Sequence, residues 1–418
     1  MSNLGGGGVA GDAPIHIKSA KGSLCYDANG KEYIDGQSQA WSLSLGHCHP
    51  EILEAIAMQA EKFTHIRTSF LTDVKLELAE KLTKQFSLGG KVMFALSGSD
   101  AIEGAIKIAI RHTKRQKIVS AWDGYHGRTL ATMALSWAHP GCPFSGWGGP
   151  VVRIPNTYCY RCFLKSEVEV FPKCGIKCFD GVNELKNSEL PAAIIIEPFQ
   201  GNGGMIDVKL EFLKKLRNFC TVNNILLIYD EIQTGCGRCG YWSLAQADGI
   251  EPDIIVIGKG LGGGMPLFAT ISKAGIIELS PGDHSFTFAH FPLSMAAALT
   301  TIRVMERDKL FTYVNNLSNS IQVELATLKE KYSLIGDIRM RGFMIGIEIV
   351  DNRGHPSAKK ASSIVKSATE KGLLLGISKY GGLGNVIKFK PALNIPLKLV
   401  EKSLNILTEV FANESKTV

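Results

Sequence analysis

One lysine, Lys259, ends the apolar run Ile254-Ile255-Val256-Ile257-Gly258 and enters the glycine-rich stretch Gly260-Leu261-Gly262-Gly263-Gly264. A second apolar run, Ile225-Leu226-Leu227-Ile228-Tyr229, delivers a carboxylate in the same manner at Asp230, 29 positions earlier. An amine and a carboxylate at two strand ends suit pyridoxal phosphate. The amine forms an imine with the aldehyde, and the carboxylate keeps the pyridine nitrogen protonated so that the ring accepts electrons. Taken alone the pair has a plainer reading, an exposed lysine and an aspartate capping a turn.

Two further segments supply what such a cofactor needs. Ser97-Gly98-Ser99-Asp100-Ala101 follows the strand-like run Val92 to Leu96 and opens a helical pattern over Ile102 to Ile110. Backbone amides at a helix N-terminus, with small hydroxyl residues beside them, hold a phosphate; a serine there also serves simply as an N-cap. Trp122-Asp123-Gly124-Tyr125-His126-Gly127 presents an aromatic ring at a strand-to-loop transition, and Tyr125 there either stacks on a pyridine face or packs in the core.

The elements that must position these residues alternate. Strand-like runs at Val92 to Leu96, Ile118 to Ala121, Ala193 to Glu197, Ile225 to Asp230, Ile254 to Gly258 and Leu267 to Ser272 are separated largely by helical stretches. That pattern predicts an α/β fold with a mainly parallel central sheet and functional side chains just past the strand C-termini. A long helix is expected over Ser294 to Lys309. Beyond Leu334 a smaller α+β unit follows, with strands near Met340 to Val350, Leu373 to Ile377 and Val386 to Phe389. Ile15 to Ile34 reads as a hairpin turning at Asp27-Ala28-Asn29-Gly30. The expected division is a flexible arm over residues 1–14, a segment 15–65 joining the small domain, a large domain 66–305 with a cysteine-rich insertion at 156–180, and a small domain 306–418.

The 418 residues are 45% hydrophobic and 20% charged, the balance of a globular protein with a large core. The net charge of +7 is spread along the chain without a polybasic tail, which fits anionic small substrates and argues against nucleic acid. No apolar stretch approaches the roughly 20 residues that span a bilayer, and Met1 to Ala13 lacks a secretory pattern, so a cytoplasmic protein away from membranes is expected. Most of the ten cysteines should then be reduced and buried. Cys159, Cys162, Cys174 and Cys178 form C-x2-C-x11-C-x3-C, a spacing compatible with zinc or an iron–sulfur cluster; the alternative is a surface insertion with free thiols or a disulfide. Cys236 and Cys239 flank a tight turn and are assigned no metal.

The ordered set of motifs resembles the class III, or omega, aminotransferases of the fold-type I pyridoxal-phosphate enzymes. It runs from Gly46-His47-Cys48-His49-Pro50 through Ser97 to Ala101, Tyr125-His126-Gly127, Glu197-Pro198-Phe199-Gln200-Gly201 and Asp230-Glu231-Ile232-Gln233-Thr234-Gly235. It continues through Gly237-Arg238, Gly258-Lys259-Gly260, Thr287-Phe288 and Pro292-Leu293. The resemblance implies that Lys259 forms the imine and shuttles the proton, Asp230 pairs with the pyridine nitrogen, Gln233 touches the ring hydroxyl and Tyr125 stacks on the ring. It also implies that Gly98, Ser99 and a neighbouring subunit's threonine at position 287 bind the phosphate, with His126 and Glu197 lining the cofactor site. A homodimer or higher homo-oligomer is therefore expected.

Three departures from the family pattern bear on substrate. Lys388, in Val386-Ile387-Lys388-Phe389-Lys390-Pro391, stands where many relatives place an arginine that forks onto the α-carboxylate; a lysine keeps the charge and loses the planar fork. Lys388 then either relaxes carboxylate recognition or pairs with Glu197. Asn202 replaces a commonly acidic residue, and Ala289-His290-Phe291 replaces a smaller run before Pro292. Trp41 matches an aromatic that amine-accepting members set against the substrate, and Phe70 joins it as a candidate; for both, core or interface packing is the alternative. The expected activity is transfer of an amino group from an amine, ω-amino acid or amino acid to a 2-oxo acid, by a ping-pong mechanism. A racemase or epimerase, or a dialkylglycine-type decarboxylase, would use the same residues. A non-catalytic metal-binding protein on this fold is disfavoured by the presence of Lys259, Asp230 and Gln233.

Overall fold

The computed structural model describes residues 15–136, 144, 148–378 and 383–416, so the segment read as an N-terminal arm lies outside the described residues. Its largest sheet has seven strands in the order Gly89–Ala95, Phe268–Lys273, Ile254–Ile257, Leu226–Asp230, Ala193–Ile196, Ile118–Ala121, Val151–Ile154. From Ile254–Ile257 to Val151–Ile154 every pairing is parallel; Phe268–Lys273 runs antiparallel to both of its neighbours. Four of the five parallel strands, all but Val151–Ile154, are buried along their whole length. This burial on both faces explains why they read as unbroken apolar runs without alternation.

Alternation survives in what each side chain meets. Leu227, Tyr229, Ile255 and Ile257 join one core layer with Phe212 and Leu216, whereas Leu226, Ile228, Ile254 and Val256 join the opposite layer with Ile102 and Ala105 of the helix Gly98–Thr113. Because adjacent strands are parallel, their C-terminal ends share one rim. Lys259, Asp230, Glu197 and the Trp122 to His126 loop therefore emerge side by side.

The C-terminal region builds an antiparallel sheet from Ile335–Arg341, Met344–Ile349, Val386–Phe389 and Gly376–Ile377, packed by the helices Leu310–Lys331, Ala358–Glu370 and Leu397–Glu414. Three local readings change. The single strand expected over Met340 to Val350 spans the end of the first strand, the turn at Gly342 and the second strand of a hairpin; the φ of 52° at Gly342 brings it against the backbone of Cys239. Leu373 to Ile377 splits between two sheets: Leu373–Leu374 pairs in parallel with Glu32–Asp35, and Gly376–Ile377 joins Val386–Phe389. The N-terminal hairpin is a three-strand meander of Ile17–Lys21, Leu24–Asp27 and Glu32–Asp35, with an extra turn at Gly22. The turn read from the sequence closes its second half, where Asp27 Oδ1 accepts from the Asn29 and Lys31 amides at 2.9 Å each. Among the described residues no helix is long and apolar enough to cross a membrane.

Candidate active site

Lys259 follows a glycine that the packing demands: a Cβ on Gly258 would lie 1.9 Å from the Phe268 ring. Lys259 itself adopts a left-handed φ of 48° at the start of a short 3-10 turn, which swings its side chain off the sheet and over the rim. Burial, the largest influence on its ammonium, lowers the pKa, while Asp230 and Glu197 oppose that shift. The result is an amine whose burial favours its neutral form, set beside Asp230 and Glu197.

Asp230 is 4% exposed and ends the next strand. Its Oδ2 lies 2.8 Å from His126 Nδ1, and its Oδ1 accepts from the Ile232 amide at 3.2 Å. One strand further, Glu197 accepts from the Tyr125 amide at 2.8 Å and the Gly201 amide at 3.2 Å, and Gln233 Nε2 lies 3.5 Å away. Burial, followed by the neighbouring Asp230 charge, pushes Glu197 up to about 8. Tyr125 is anchored by its main chain to Glu197 and by its hydroxyl, which accepts from Arg128 Nε at 3.0 Å.

The phosphate end is the N-terminus of the 16-residue helix Gly98–Thr113. Ser97 is its N-cap, accepting from the Asp100 amide at 3.1 Å, so the capping reading holds for Ser97 and leaves Gly98 and Ser99 on the first turn. Ser99 Oγ accepts from the Arg128 amide at 2.9 Å, which ties this turn to the Tyr125 loop. Two buried polar atoms on the same rim, Gln233 Oε1 and His126 Nε2, have no hydrogen-bond partner among the described residues. A partly buried amine, a carboxylate at the adjacent strand end, a helix N-terminus and an unsatisfied amide oxygen together fit pyridoxal phosphate.

Trp41 closes the site from the N-terminal segment. It ends a run of four residues, Ser38 to Trp41, with φ between 40° and 70°, a backbone that side-chain-bearing residues rarely hold. The run is pinned by Ser38, whose Oγ donates to the Lys390 carbonyl at 2.8 Å and lies 3.0 Å from Arg238 Nη2. Three lysines approach the Trp41 ring: the Nζ atoms of Lys259, Lys388 and Lys390 lie 5.5, 5.1 and 3.1 Å from its centroid. Lys388 makes its hydrogen bond with Asn202 Oδ1 at 3.2 Å, and no Lys388–Glu197 ion pair forms among the described residues. The two unusual residues, a lysine for an arginine and an asparagine for an acid, thus partner each other. Neither Lys390 nor the Lys388–Asn202 contact emerged from the sequence reading. The signal for Lys390 was its i+2 spacing from Lys388 on a strand.

Residues 8–411 match the model of the class-III aminotransferase family. The chain belongs to the class III aminotransferases. It is 34% identical to the 5-aminovalerate aminotransferase DavT of Pseudomonas putida, covering 97% of this chain and 95% of that one. It is 33% identical to a leucine/methionine racemase of Thermococcus litoralis, covering 96% and 91%. Its fold superposes with a TM-score of 0.88 on an amine transaminase from an uncultivated Pseudomonas species solved with pyridoxal phosphate bound, at 26% identity and 96% and 95% coverage. The protein is a pyridoxal-phosphate-dependent aminotransferase of fold type I.

Other candidate residues of the aminotransferase are placed differently. Phe70 is 61% exposed, and Thr287 also lies at the surface of the single chain, between the exposed Phe286 and Phe288. His290 packs edge-on against Phe94, with ring centroids 5.9 Å apart. Cys159, Cys162, Cys174 and Cys178 surround one cavity of about 30 Å³, and burial followed by the other three thiols pushes Cys178 up to about 12. No three of these sulfurs approach within 4.8 Å of one another; among the described residues the set that meets this spacing is Cys25, Asp35 and His47, already joined by hydrogen bonds. The four-cysteine metal reading gains no support from this geometry. The segment acts instead as a clasp: Tyr158 and Arg161 both bind the buried Glu348 of the C-terminal sheet.

Proposed function

We propose that this aminotransferase moves an amino group from an ω-amino acid or a terminal amine to a 2-oxo acid such as pyruvate or 2-oxoglutarate, in a ping-pong cycle on a homodimer. When bound, pyridoxal phosphate supplies the carbonyl that accepts the amino group and a ring that withdraws electrons. Gly98 and Ser99 hold its phosphate, with Thr287 completing that site across the subunit interface. Gln233 and His126 fix its polar edge, and Tyr125 covers its face. Asp230 holds a fixed negative charge at the strand end, oriented by His126. Lys259, depressed in pKa by burial, takes and returns the proton at the amine-bearing carbon of the donor. The exposed aromatic rings beside Thr287 support a subunit contact there. The nine described cysteines are all free, which supports a reducing compartment such as the cytoplasm.

The observation that carries the donor class is Lys388 bonded to Asn202 and stacked near Trp41 beside Lys259: positive charge remains, and the fork for an α-carboxylate is gone. The likeness to a 5-aminovalerate aminotransferase supports the same class. The test is a donor panel followed by the cofactor's absorbance, with loss on adding donor and recovery on adding 2-oxo acid. The racemase relative supports a second reading, in which the same proton transfer inverts an amino acid without any acceptor. Inversion without a 2-oxo acid, or release of carbon dioxide, would overturn the aminotransferase donor proposal.

A further inference from the structure

Away from the Lys259 rim, Cys25, Asp35 and His47 converge from three stretches of backbone. Cys25, on the strand Leu24–Asp27, lies opposite Tyr33 of the antiparallel strand Glu32–Asp35, and Asp35 is two residues beyond Tyr33. Side chains two apart on a strand share a face, so Cys25 and Asp35 are diagonal neighbours across the pair. His47 arrives from a third segment. Its amide donates to the Gly22 carbonyl at 2.7 Å and its carbonyl accepts from the Gly22 amide at 2.9 Å, which pins it beside the first turn of the meander. Gly46 permits the approach: its φ is 75°, and a Cβ there would lie 2.6 Å from the Gly22 carbonyl oxygen.

One ring nitrogen meets two partners there. His47 Nε2 lies 2.9 Å from Asp35 Oδ2 and 3.4 Å from Cys25 Sγ, and the three ligand atoms all fall within 4.8 Å of one another. Cys25 is fully buried and Asp35 is 2% exposed, whereas the His47 side chain keeps 14% exposure and leaves a way in. The exposed Gln39 reaches over the group, with its Nε2 3.3 Å from Asp35 Oδ2 and 4.0 Å from Cys25 Sγ. A half-turn of that amide, whose two ends have the same shape, presents Oε1 to the same point. Zinc bonds of about 2.3 Å to sulfur and about 2.0–2.2 Å to nitrogen and oxygen, at tetrahedral angles, set such ligands roughly 3.4–3.6 Å apart. The separations of 2.9 and 3.4 Å come within about 0.5 Å of that.

We propose that Cys25, Asp35 and His47, closed by Gln39, form a structural site for one zinc ion. A thiolate, a carboxylate and a neutral imidazole carry two negative charges, which a divalent cation cancels in a place where a residual charge is costly. The Cys25 thiol proton and the proton on Nε2 leave to water as the ion enters. Sulfur and imidazole in the set favour zinc over magnesium or calcium, which take oxygen ligands. The ion ties the N-terminal meander to the left-handed run Ser38 to Trp41, because Gln39 belongs to that run and Asp35 Oδ1 accepts from the Gln37 amide at 3.0 Å. It takes no part in proton transfer at Lys259. In the metal-free protein the same side chains keep the His47–Asp35 hydrogen bond.

The test titrates the full-length holoenzyme, stripped of metal with a chelator and dialysed, with zinc and separately with cobalt(II). Zinc should bind saturably and raise the Tm. Cobalt should give a thiolate charge-transfer band in the near ultraviolet together with the intense visible bands of a four-coordinate ion. Cys25→Ser, nearly the same shape, should abolish the charge-transfer band and weaken zinc at least about tenfold, the least that loss of even an outer-shell partner costs. His47→Gln gives the same zinc comparison should the serine disturb folding. Cys159→Ser combined with Cys162→Ser should leave band and affinity unchanged, which separates this site from the other thiol cluster. Absence of saturable zinc binding overturns the proposal. So does a zinc-induced rise in Tm that is equal in Cys25→Ser and the wild type, or a cobalt band that survives in Cys25→Ser and disappears with Cys159 and Cys162.

Discussion

Asp230→Asn separates charge from shape at the centre of the site. The asparagine still accepts from the Ile232 amide and still faces His126, so folding stability should change by no more than about 1 kcal/mol. Its negative charge disappears from a place that is 4% exposed, where water cannot compensate. Loss of one preorganised electrostatic stabiliser costs about 3 kcal/mol in barrier, or roughly 150-fold in kcat. Two neighbours report the same change. Burial and then Asp230 raise Glu197 to about 8, and Asp230 opposes the burial that lowers Lys259, so both groups should titrate lower in the variant and the pH–rate profile should move toward acid. Stopped-flow measurement of the first half-reaction, after cofactor content is matched by absorbance, isolates the proton-transfer step. A variant with full cofactor and a rate within about threefold of the wild type would refute the assignment of Asp230 as the buried counter-charge.

Lys259→Ala should abolish turnover with the fold and phosphate anchoring retained; borohydride trapping and peptide mapping on the wild type should place the pyridoxyl group on Lys259, and an adduct on another lysine sinks the assignment. Burial, then the Lys259 charge, lowers Lys388 to about 8, so it carries its charge below that pH and loses it as pH rises through it. For carboxylate-bearing donors kcat/KM should therefore decline above pH 8, and Asn202→Asp, placing a carboxylate where the amide now sits 3.2 Å from Nζ, should move that decline upward by about one unit; an unmoved limb refutes the coupling. Burial alone would lower His47, but Asp35 and Cys25 hold it at about 9 against its ordinary 6.5. That stabilisation is complete below pH 6.5 and lost as pH rises through about 9, so Asp35→Asn should cost about 2 kcal/mol at pH 6, with the Tm gap to wild type narrowing by pH 10. A gap independent of pH would show that the His47–Asp35 pair is not its source.

What the chain determined by itself was local. Runs such as Ala193–Ile196 and Ile254–Ile257 are unbroken because both of their faces are buried, and each ends where glycine or a polar residue interrupts it, so Lys259 and Asp230 were legible as strand-end groups. The α/β class followed from their alternation with helices. Other features depend on residues distant in sequence, and periodicity carries no trace of them. The split of Leu373 to Ile377 between two sheets is set by Glu32–Asp35 arriving from the other end of the chain. The cysteine spacing looked like a ligand set, but spacing specifies neither side-chain direction nor distance, and the thiols surround a cavity without closing on a point. Asn202 and Lys388, 186 positions apart, each read as a departure with its own consequence and became one hydrogen bond only when the two sheets were packed together. Lys390 shows the limit most sharply: a lysine on a strand is ordinarily solvated, and only the packed surroundings of Trp41 remove its water and leave a buried amine against the ring.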